Sequence, residues 1–183
     1  MKQPQIFVAT SKDADVIKQM INQMYGFEYE TRTKDELEQA IQTQSQVFVV
    51  AKQGEDIIGF AGATTNSTEY QNITNKTQTV IEYIYITPSC RNFFVAYDII
   101  KLLFDSLAKM QKTSAILQVQ TFNKQRFFHY ALCDKNIIHS TTCTAKSGAV
   151  YQDQILMIND IKKVALQTAK QFMKKVQKYK SEN

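Results

Sequence analysis

The feature that most constrains this chain is a strand-like run that ends at a proline and leads directly into a helix-like run. Residues 79–88, TVIEYIYITP, are rich in the β-branched and aromatic side chains typical of strands. Pro88 cannot extend the ladder of a central strand. The residues beyond it have apolar side chains at helical spacing: Ile99, Ile100, Leu103, Leu107 and Met110. An arginine at such a junction, here Arg91, is typical of loops that hold a phosphate at a helix start.

The rest of the chain gives further strands and helices in a definite order. A strand at 5–10 precedes a helix ending near Tyr25, and a capping box at Thr33 and Glu36 predicts a second helix. Further along, the pattern predicts a hairpin, the strand before Pro88, its helix, a strand from Ala115 to Phe122, a short helix, a last hairpin and a tail helix. This α/β (α+β) order predicts a mixed, mostly antiparallel central sheet of about seven strands, flanked by helices.

Composition excludes several classes of protein. The 183 residues suit one domain, or one domain plus an appendage, and 44 % hydrophobic residues can form a real core. No run of 18 apolar residues predicts a membrane span, and the first residues lack the apolar core of a secretion signal. The cysteines Cys90, Cys133 and Cys143 match neither a disulfide framework nor a zinc pattern. We therefore expect a cytoplasmic protein with reduced thiols and no metal site.

The positive charge is concentrated at the C-terminus. Residues 160–183 hold seven lysines against Asp160 and Glu182, which accounts for the net charge of +5. The sequence therefore predicts a domain at 1–159 and a basic amphipathic helix at 160–183 that packs on the domain or on a second subunit of a homodimer. Because the body is neutral, no nucleic-acid partner is expected. A basic amphipathic helix that binds nucleic acid or an anionic membrane is the alternative.

Four segments, in order, resemble the GNAT superfamily of acyl-CoA-dependent N-acetyltransferases over about residues 5–158. The resemblance rests on FVATSKDADVIKQMI, on the hairpin VFVVAKQGEDIIGFAGAT, on IEYIYITPSCR with Pro88 and Arg91, and on Asn123 standing seven residues before Tyr130. It implies the transfer of an acetyl group from acetyl-CoA directly to a primary amine of a small molecule or a protein. It also places the aromatic residues Tyr25, Phe27 and Tyr29 where the family often shapes its acceptor site.

The resemblance also implies a cofactor site after the strand. The family's loop has the form Arg/Gln-x-x-Gly-x-Gly/Ala, and the matching residues are Arg91, Asn92, Phe93, Phe94, Val95 and Ala96, with Phe94 in place of the middle glycine. Backbone N–H groups bind the phosphates, so the site survives if Phe94 points into the core and is blocked if Phe94 points at the cofactor. The backbone of Tyr85 and Ile86 is expected to contact the pantetheine arm and the thioester. Asn123 is the remaining candidate at the cofactor, or simply caps the next helix.

Acetyl transfer needs a base for the amine, whose pKa is about 10.4, and an acid for the leaving thiolate, whose pKa is about 8.5. By resemblance, Tyr130 is the acid, with packing on the sheet as its alternative. Glu82 is the best carboxylate for the base, and strand alternation places it on one face with Ile84 and Ile86. Some family members have a glutamate where this chain has Gln118, which leaves Glu82 or an ordered water.

Two readings of the whole chain stay open at this point. The four ordered matches favour an active N-acetyltransferase. Phe94 and Gln118 favour a catalytically degenerate relative that acts as a binding or regulatory module on the same fold.

Overall fold

A computed structural model describes residues 3–25, 30–65, 76–121, 123–145 and 148–182. Seven strands form one sheet in the order β1-β2-β3-β4-β5-β7-β6. Their bounds are β1 Gln5–Val8, β2 Gln46–Gln53, β3 Asp56–Thr64, β4 Gln78–Ile86, β5 Ser114–Gln120, β6 Ile137–Thr144 and β7 Val150–Ile158. The pair β4–β5 is parallel and the other neighbouring pairs are antiparallel. The predicted mixed, mostly antiparallel sheet is confirmed.

Helices cover both faces of this sheet. Their bounds are α1 Ala14–Tyr25, α2 Lys34–Gln42, α3 Phe93–Lys109, α4 Arg126–Leu132, α5 Ile161–Ala165 and α6 Ala169–Ser181. The helices α1 and α2 bury their apolar side chains on one face, and α3 to α6 bury theirs on the other. The capping box at Thr33 and Glu36 begins α2 as the sequence predicts. Within the described residues, no helix is both long and apolar enough to cross a bilayer.

The strand β4 is irregular at Glu82. Gly62 of β3 lies opposite Tyr83, and Ala63 lies opposite Ile81, so Glu82 is the extra residue of a β-bulge. The parallel pairing of β4 with β5 spans Gln78–Ile81 opposite Ser114–Leu117, whereas β4 pairs with β3 as far as Ile86. The two strands therefore part at the bulge, and a gap opens between them.

The bulge overturns the predicted alternation along β4. Tyr83 packs in the core beneath α1 and α2, while Ile84 and Ile86 pack toward the opposite face. The Glu82 carboxylate accepts a hydrogen bond from Gln46, a residue on the same face of β2 as the buried Phe48. The prediction that Glu82 shares a face with Ile84 and Ile86 is therefore wrong, because one extra residue reverses the alternation.

A glycine allows two aromatic rings to meet on this side of the sheet. Gly62 pairs with Phe48 on one side and Tyr83 on the other. The two rings stack across it, with centroids 6.1 Å apart and planes inclined by 19°. A Cβ atom at Gly62 would lie 2.5 Å from Phe48 Cε1 and 2.9 Å from Tyr83 Cδ2. The glycine is thus required by packing and not by its backbone angles.

The tail forms two helices, not the single helix predicted from Asp160. The helix α5 ends at Ala165, and Thr168 begins α6 with a capping box to Gln171. The break between the two helices has a local cause. The Thr168 side chain accepts the N–H of Gln171 and so begins a new helix instead of continuing α5. The apolar stripe of α6 is nevertheless as predicted: Phe172, Val176 and Tyr179 are buried in the core of the same chain.

Phe172 links the tail to the helices that border the gap. Its ring centroid lies 4.9 Å from that of Phe128 on α4, 5.8 Å from Phe93 and 6.0 Å from Tyr97 on α3. The ring is only 1 % exposed. The tail therefore supports α3 and α4 together, which fixes their spacing at one end of the sheet.

The substitution Gly62→Ala should destabilise the fold by about 1–3 kcal/mol, because the added methyl group overpacks the Phe48–Tyr83 stack. Urea denaturation measures the change, and Glu55→Ala in the exposed β2–β3 turn is the control, expected within about 0.5 kcal/mol of wild type. Wild-type stability of the Gly62→Ala protein would contradict this account of the stack.

The substitution Phe172→Ala should cost about 3–5 kcal/mol, the range for emptying a buried aromatic site. Leu166→Ala, between α5 and α6, is the matched control because Leu166 is 82 % exposed. Thermal unfolding of both variants checks the difference. Equal stability of the two would show that the tail does not support α3 and α4.

Candidate functional site

An apolar cleft lies between β4 and the start of α3. Its volume is about 210 Å³. The walls are mostly apolar and include four polar side chains. The lining residues are Ile84, Ile86, Arg91, Asn92, Phe93, Ala96, Gln125, Phe128 and His129. A mostly apolar cleft with a few polar side chains suits a ligand that is apolar over most of its surface and has a few polar groups.

A larger polar cavity of about 460 Å³ occupies the gap between β4 and β5. Residues from α1, β4, β5, the β5–α4 loop and α4 line it: Met24, Tyr25, Val80, Ile81, Glu82, Tyr83, Ile84, Gln118, Val119, Gln120, Asn123, Gln125 and His129. Among the lining residues that the structure describes there is one carboxylate and no lysine or arginine. The cavity therefore favours a positively charged or hydrogen-bonding guest.

The apolar cleft and the polar cavity meet. Ile84, Gln125 and His129 line both of them. Ile84 lies on β4 just beyond the bulge, Gln125 is the residue before α4, and His129 lies in the middle of α4. A molecule in the cleft and a molecule in the cavity would therefore contact each other beside these three residues.

The helix start beside the apolar cleft has a side-chain cap of its own. The first turn of any helix leaves backbone N–H groups without intrahelical acceptors. Here the Oδ1 atom of Asn92 accepts the N–H of Phe94 at 2.8 Å. Asn92 also lines the cleft, so an anion bound at this helix start would compete with the Asn92 side chain for that N–H group.

The other residues of the predicted cofactor loop point in different directions. Arg91 lines the cleft and its Nε approaches the Ile86 carbonyl oxygen at 3.4 Å. Val95 is buried in the core, and Phe94 is 54 % exposed. The Phe94 ring therefore lies neither in the core nor among the lining residues of the cleft, and it packs edge-on against Phe93 at 5.6 Å between centroids.

The two β4 residues predicted to contact the cofactor have their side chains on opposite faces of the sheet. Ile86 lines the apolar cleft, whereas the Tyr85 ring packs against Phe60 on the opposite face at 6.2 Å. Asn123 lines the polar cavity, and its Oδ1 atom accepts the N–H of Gln125 at 2.9 Å. Asn123 thus organises the turn that begins α4 and contributes to the cavity wall.

Glu82 lies in the wall of the polar cavity within a network of polar side chains. Gln46 Nε2 donates to the Glu82 carboxylate at 3.2 Å and to Thr64 Oγ1 at 3.1 Å. The Arg32 guanidinium donates to Gln46 Oε1 and also pairs with Glu30. The network fixes the position of the Glu82 side chain and places a cation nearby.

Glu30 is the buried end of this network, with 5 % exposure. Burial opposes its ionisation, but hydrogen bonds from the Arg32 side chain and backbone outweigh burial and hold the pKa of this carboxyl below its ordinary value. The Glu30–Arg32 pair is therefore charged at neutral pH. Sequence reasoning missed it because the two residues lie outside the predicted helices and strands and match no motif.

The structure places Tyr130 away from both the cleft and the cavity. Its hydroxyl donates to Gln154 Oε1 at 2.8 Å, and its ring, 3 % exposed, packs against Tyr179 of the tail. Burial raises the pKa of Tyr130, which weakens it as a proton donor. The tail covers Tyr130, so these contacts favour the alternative of packing on the sheet over the predicted role as the acid.

His129, the residue before Tyr130, lines both the cleft and the cavity. Consecutive helical residues point about 100° apart, so when Tyr130 faces the core its neighbour faces the gap. The sequence shows no partner for His129 because its Nδ1 atom bonds to a backbone carbonyl, that of Gln125 at 3.1 Å. No motif could have identified that contact.

Of the three aromatic residues predicted near an acceptor, Tyr25 lines the polar cavity. Phe27 and Tyr29 lie outside the described residues. Tyr83 also lines the cavity, and burial raises the pKa of its phenol, so Tyr83 stays neutral. Gln118 lies on the cavity wall and its Nε2 donates to Asp153 at 2.6 Å, as an amide that supplies no base.

Comparison with known structures identifies the fold. The structure superposes on yncA of Salmonella typhimurium, solved with its cofactor acetyl-CoA, with a TM-score of 0.67 at 13 % identity, covering 86 % of this chain and 94 % of that one. A GNAT-family acetyltransferase of Streptococcus pneumoniae gives 0.65 at 17 % identity, covering 85 % and 98 %. The ribosomal-protein-alanine N-acetyltransferase of Brucella melitensis gives 0.64 at 10 % identity, covering 84 % and 98 %.

Comparison of the sequence gives the family. No curated protein sequence matches the chain. The family model described as Acetyltransferase (GNAT) family matches residues 14–130, well over half of the 183 residues. This match runs from the start of α1 through β4, the helix start beside the apolar cleft, β5 and the polar cavity to α4. The chain therefore belongs to the GNAT acetyltransferase family.

Proposed function

We propose that this chain transfers an acetyl group from acetyl-CoA directly to a primary amine of a small molecule or protein. The observation that carries the proposal is the meeting of an apolar cleft and a polar cavity in the gap where β4 and β5 part. The reaction needs a thioester and an amine side by side, and the two spaces supply one site for each.

The apolar cleft fits the arm of acetyl-CoA. Ile84, Ile86 and Ala96 would contact the pantetheine chain, while the α3 helix start and Arg91 lie where negative phosphates would be stabilised. Phe94 does not stand in the cleft, so the missing glycine leaves the space open. The Asn92 side chain must give up one N–H group if a phosphate is to use it.

The polar cavity fits a cationic amine. A primary amine is mostly protonated at neutral pH, because its pKa is near 10.4, and must lose a proton before it attacks. Glu82 is the carboxylate of this cavity, held by Gln46, and we assign it the role of binding the ammonium group and accepting that proton. The amide side chains of Gln118 and Gln120 would orient the remainder of the acceptor.

We also place the reaction in the cytoplasm. The support is the set of cysteines, which are all free thiols: Cys90, Cys133 and Cys143. Burial raises the pKa of the Cys133 thiol, so that cysteine is unreactive and structural.

Arg91→Ala should weaken acetyl-CoA binding about 10–100-fold, since a charge-assisted hydrogen bond contributes about 1.5–3 kcal/mol. Isothermal titration calorimetry measures the dissociation constants. Lys109→Ala is the control, because it removes the same charge from the exposed far end of α3 and should leave binding unchanged. Failure of the wild-type protein to bind acetyl-CoA would refute the transferase and favour the degenerate binding module.

Glu82→Gln should lower kcat/KM for the amine about 10²–10³-fold near neutral pH, because the amide keeps the shape of the side chain but cannot accept the proton. The deficit should shrink as the pH rises toward the pKa of the amine, where the acceptor loses its proton without help. Initial rates against pH with a panel of primary amines test this, and Glu55→Gln in the β2–β3 turn is the control. A deficit that does not change with pH would contradict the role of Glu82 as a base.

A further inference from the structure

Among the described residues, His129 is the one ionisable residue that lines both the apolar cleft and the polar cavity. The shared residues are Ile84, Gln125 and His129, and neither isoleucine nor glutamine titrates. Glu82 lines the polar cavity without lining the cleft. A proton that moves between the two spaces therefore finds one side chain that can receive it and release it.

The hydrogen bond of His129 defines which ring nitrogen is free to act. Nδ1 lies 3.1 Å from the carbonyl oxygen of Gln125, four residues earlier in the sequence. A carbonyl oxygen only accepts, so Nδ1 carries the hydrogen of the neutral ring. Nε2 then holds a lone pair, which is the state that a proton acceptor needs.

The ring is also held in place and kept neutral. Phe128 packs edge-on against it with centroids 6.3 Å apart, and Phe128 is itself fixed by Phe172 of the tail. Burial lowers the pKa of His129 well below its ordinary value, against a smaller opposing effect of the Gln125 carbonyl. At neutral pH the imidazole is therefore uncharged, and once protonated it gives up its proton more readily than an ordinary histidine.

We propose that Nε2 of His129 carries a proton from the attacking amine nitrogen to the departing sulfur of coenzyme A. This role rests on the proposed function. The neutral amine forms the C–N bond to the thioester carbonyl carbon, and its N–H proton passes to Nε2. The C–S bond then breaks, and the imidazolium gives that proton to the thiolate, so that amide, thiol and neutral His129 remain.

The roles of neighbouring groups are then distinct. Glu82 takes the first proton, which converts the ammonium ion into the amine, and His129 moves the second from nitrogen to sulfur. Tyr130 takes no part, because its hydroxyl is buried and bonded to Gln154. The lowered pKa of His129 favours the second half of its step, since a thiolate with a pKa of about 8.5 accepts a proton readily from such an imidazolium.

The test compares His129→Asn, His139→Asn and Tyr130→Phe. The sequence has two histidines, and His139 lies on β6 hydrogen-bonded to Thr141, outside the described walls of both spaces. An asparagine at 129 can still donate to the Gln125 carbonyl but has no counterpart of Nε2. We expect His129→Asn to lower kcat about 10²–10⁴-fold with an unchanged KM for acetyl-CoA. The other two variants should keep the wild-type kcat.

A second measurement does not depend on turnover or on any substitution at His129. Long-range ¹H–¹⁵N spectra of the wild-type protein report the tautomer of each imidazole, and His139→Asn assigns the two sets of signals. We expect His129 to be neutral with its proton on Nδ1 near neutral pH, and its Nε2 signal to shift when coenzyme A is added. A proton on Nε2, or a protonated ring, would overturn the proposal.

The outcomes also separate this proposal from the proposed function. A wild-type protein that acetylates amines while His129→Asn keeps full kcat overturns the role of His129 alone. The same holds if Tyr130→Phe loses activity and His129→Asn does not. A wild-type protein that neither binds acetyl-CoA nor acetylates any amine refutes the transferase itself, and the role of His129 with it.

Discussion

The parting of β4 from β5 is the constraint on which the site depends. β4 stays paired with β3 to its end, so the sheet is held together on one side while the β5 side opens after Ile81. The bulge at Glu82 allows β4 to stay paired with β3 while it leaves β5, since an extra residue bends the strand and increases its local twist. The same residue that opens the gap therefore turns its own carboxylate into the cavity so formed.

A gap in a sheet needs support from the layers around it. On one face, the Phe48–Tyr83 stack over Gly62 holds β2, β3 and β4 together at the level of the bulge. On the other face, Phe172 of α6 holds α3 and α4 at the spacing that forms the apolar cleft. The basic tail is consequently part of the structure of the site, and its charge lies on the outer face of a helix whose inner face is in the core.

Periodicity predicted the elements because each segment contains its own signal, as the capping box at Thr33 shows. Periodicity failed where a residue far along the chain determines the strand register or the burial of a side chain. The bulge at Glu82 depends on the register against Gly62 and Ala63, and the burial of Tyr130 depends on Tyr179 of the tail. The resemblance pointed to Tyr130 on α4, but one position along a helix separates that buried residue from His129, which lines the cleft and the cavity.

The structure also shows why Phe94, in place of a glycine at the start of α3, does not fill the cleft. The groups that bind an anion at a helix start belong to the backbone, so a side chain in place of glycine matters only through the space it fills. Phe94 points outward and fills none of the cleft. The competitor is instead Asn92, whose cap satisfies the N–H of Phe94 within the chain. An N-cap contributes about 0.5–2 kcal/mol, so a phosphate bound at that N–H would have to replace an interaction of that size. Under the proposed function, the Asn92 cap rather than the lost glycine is therefore the local competitor of the phosphate.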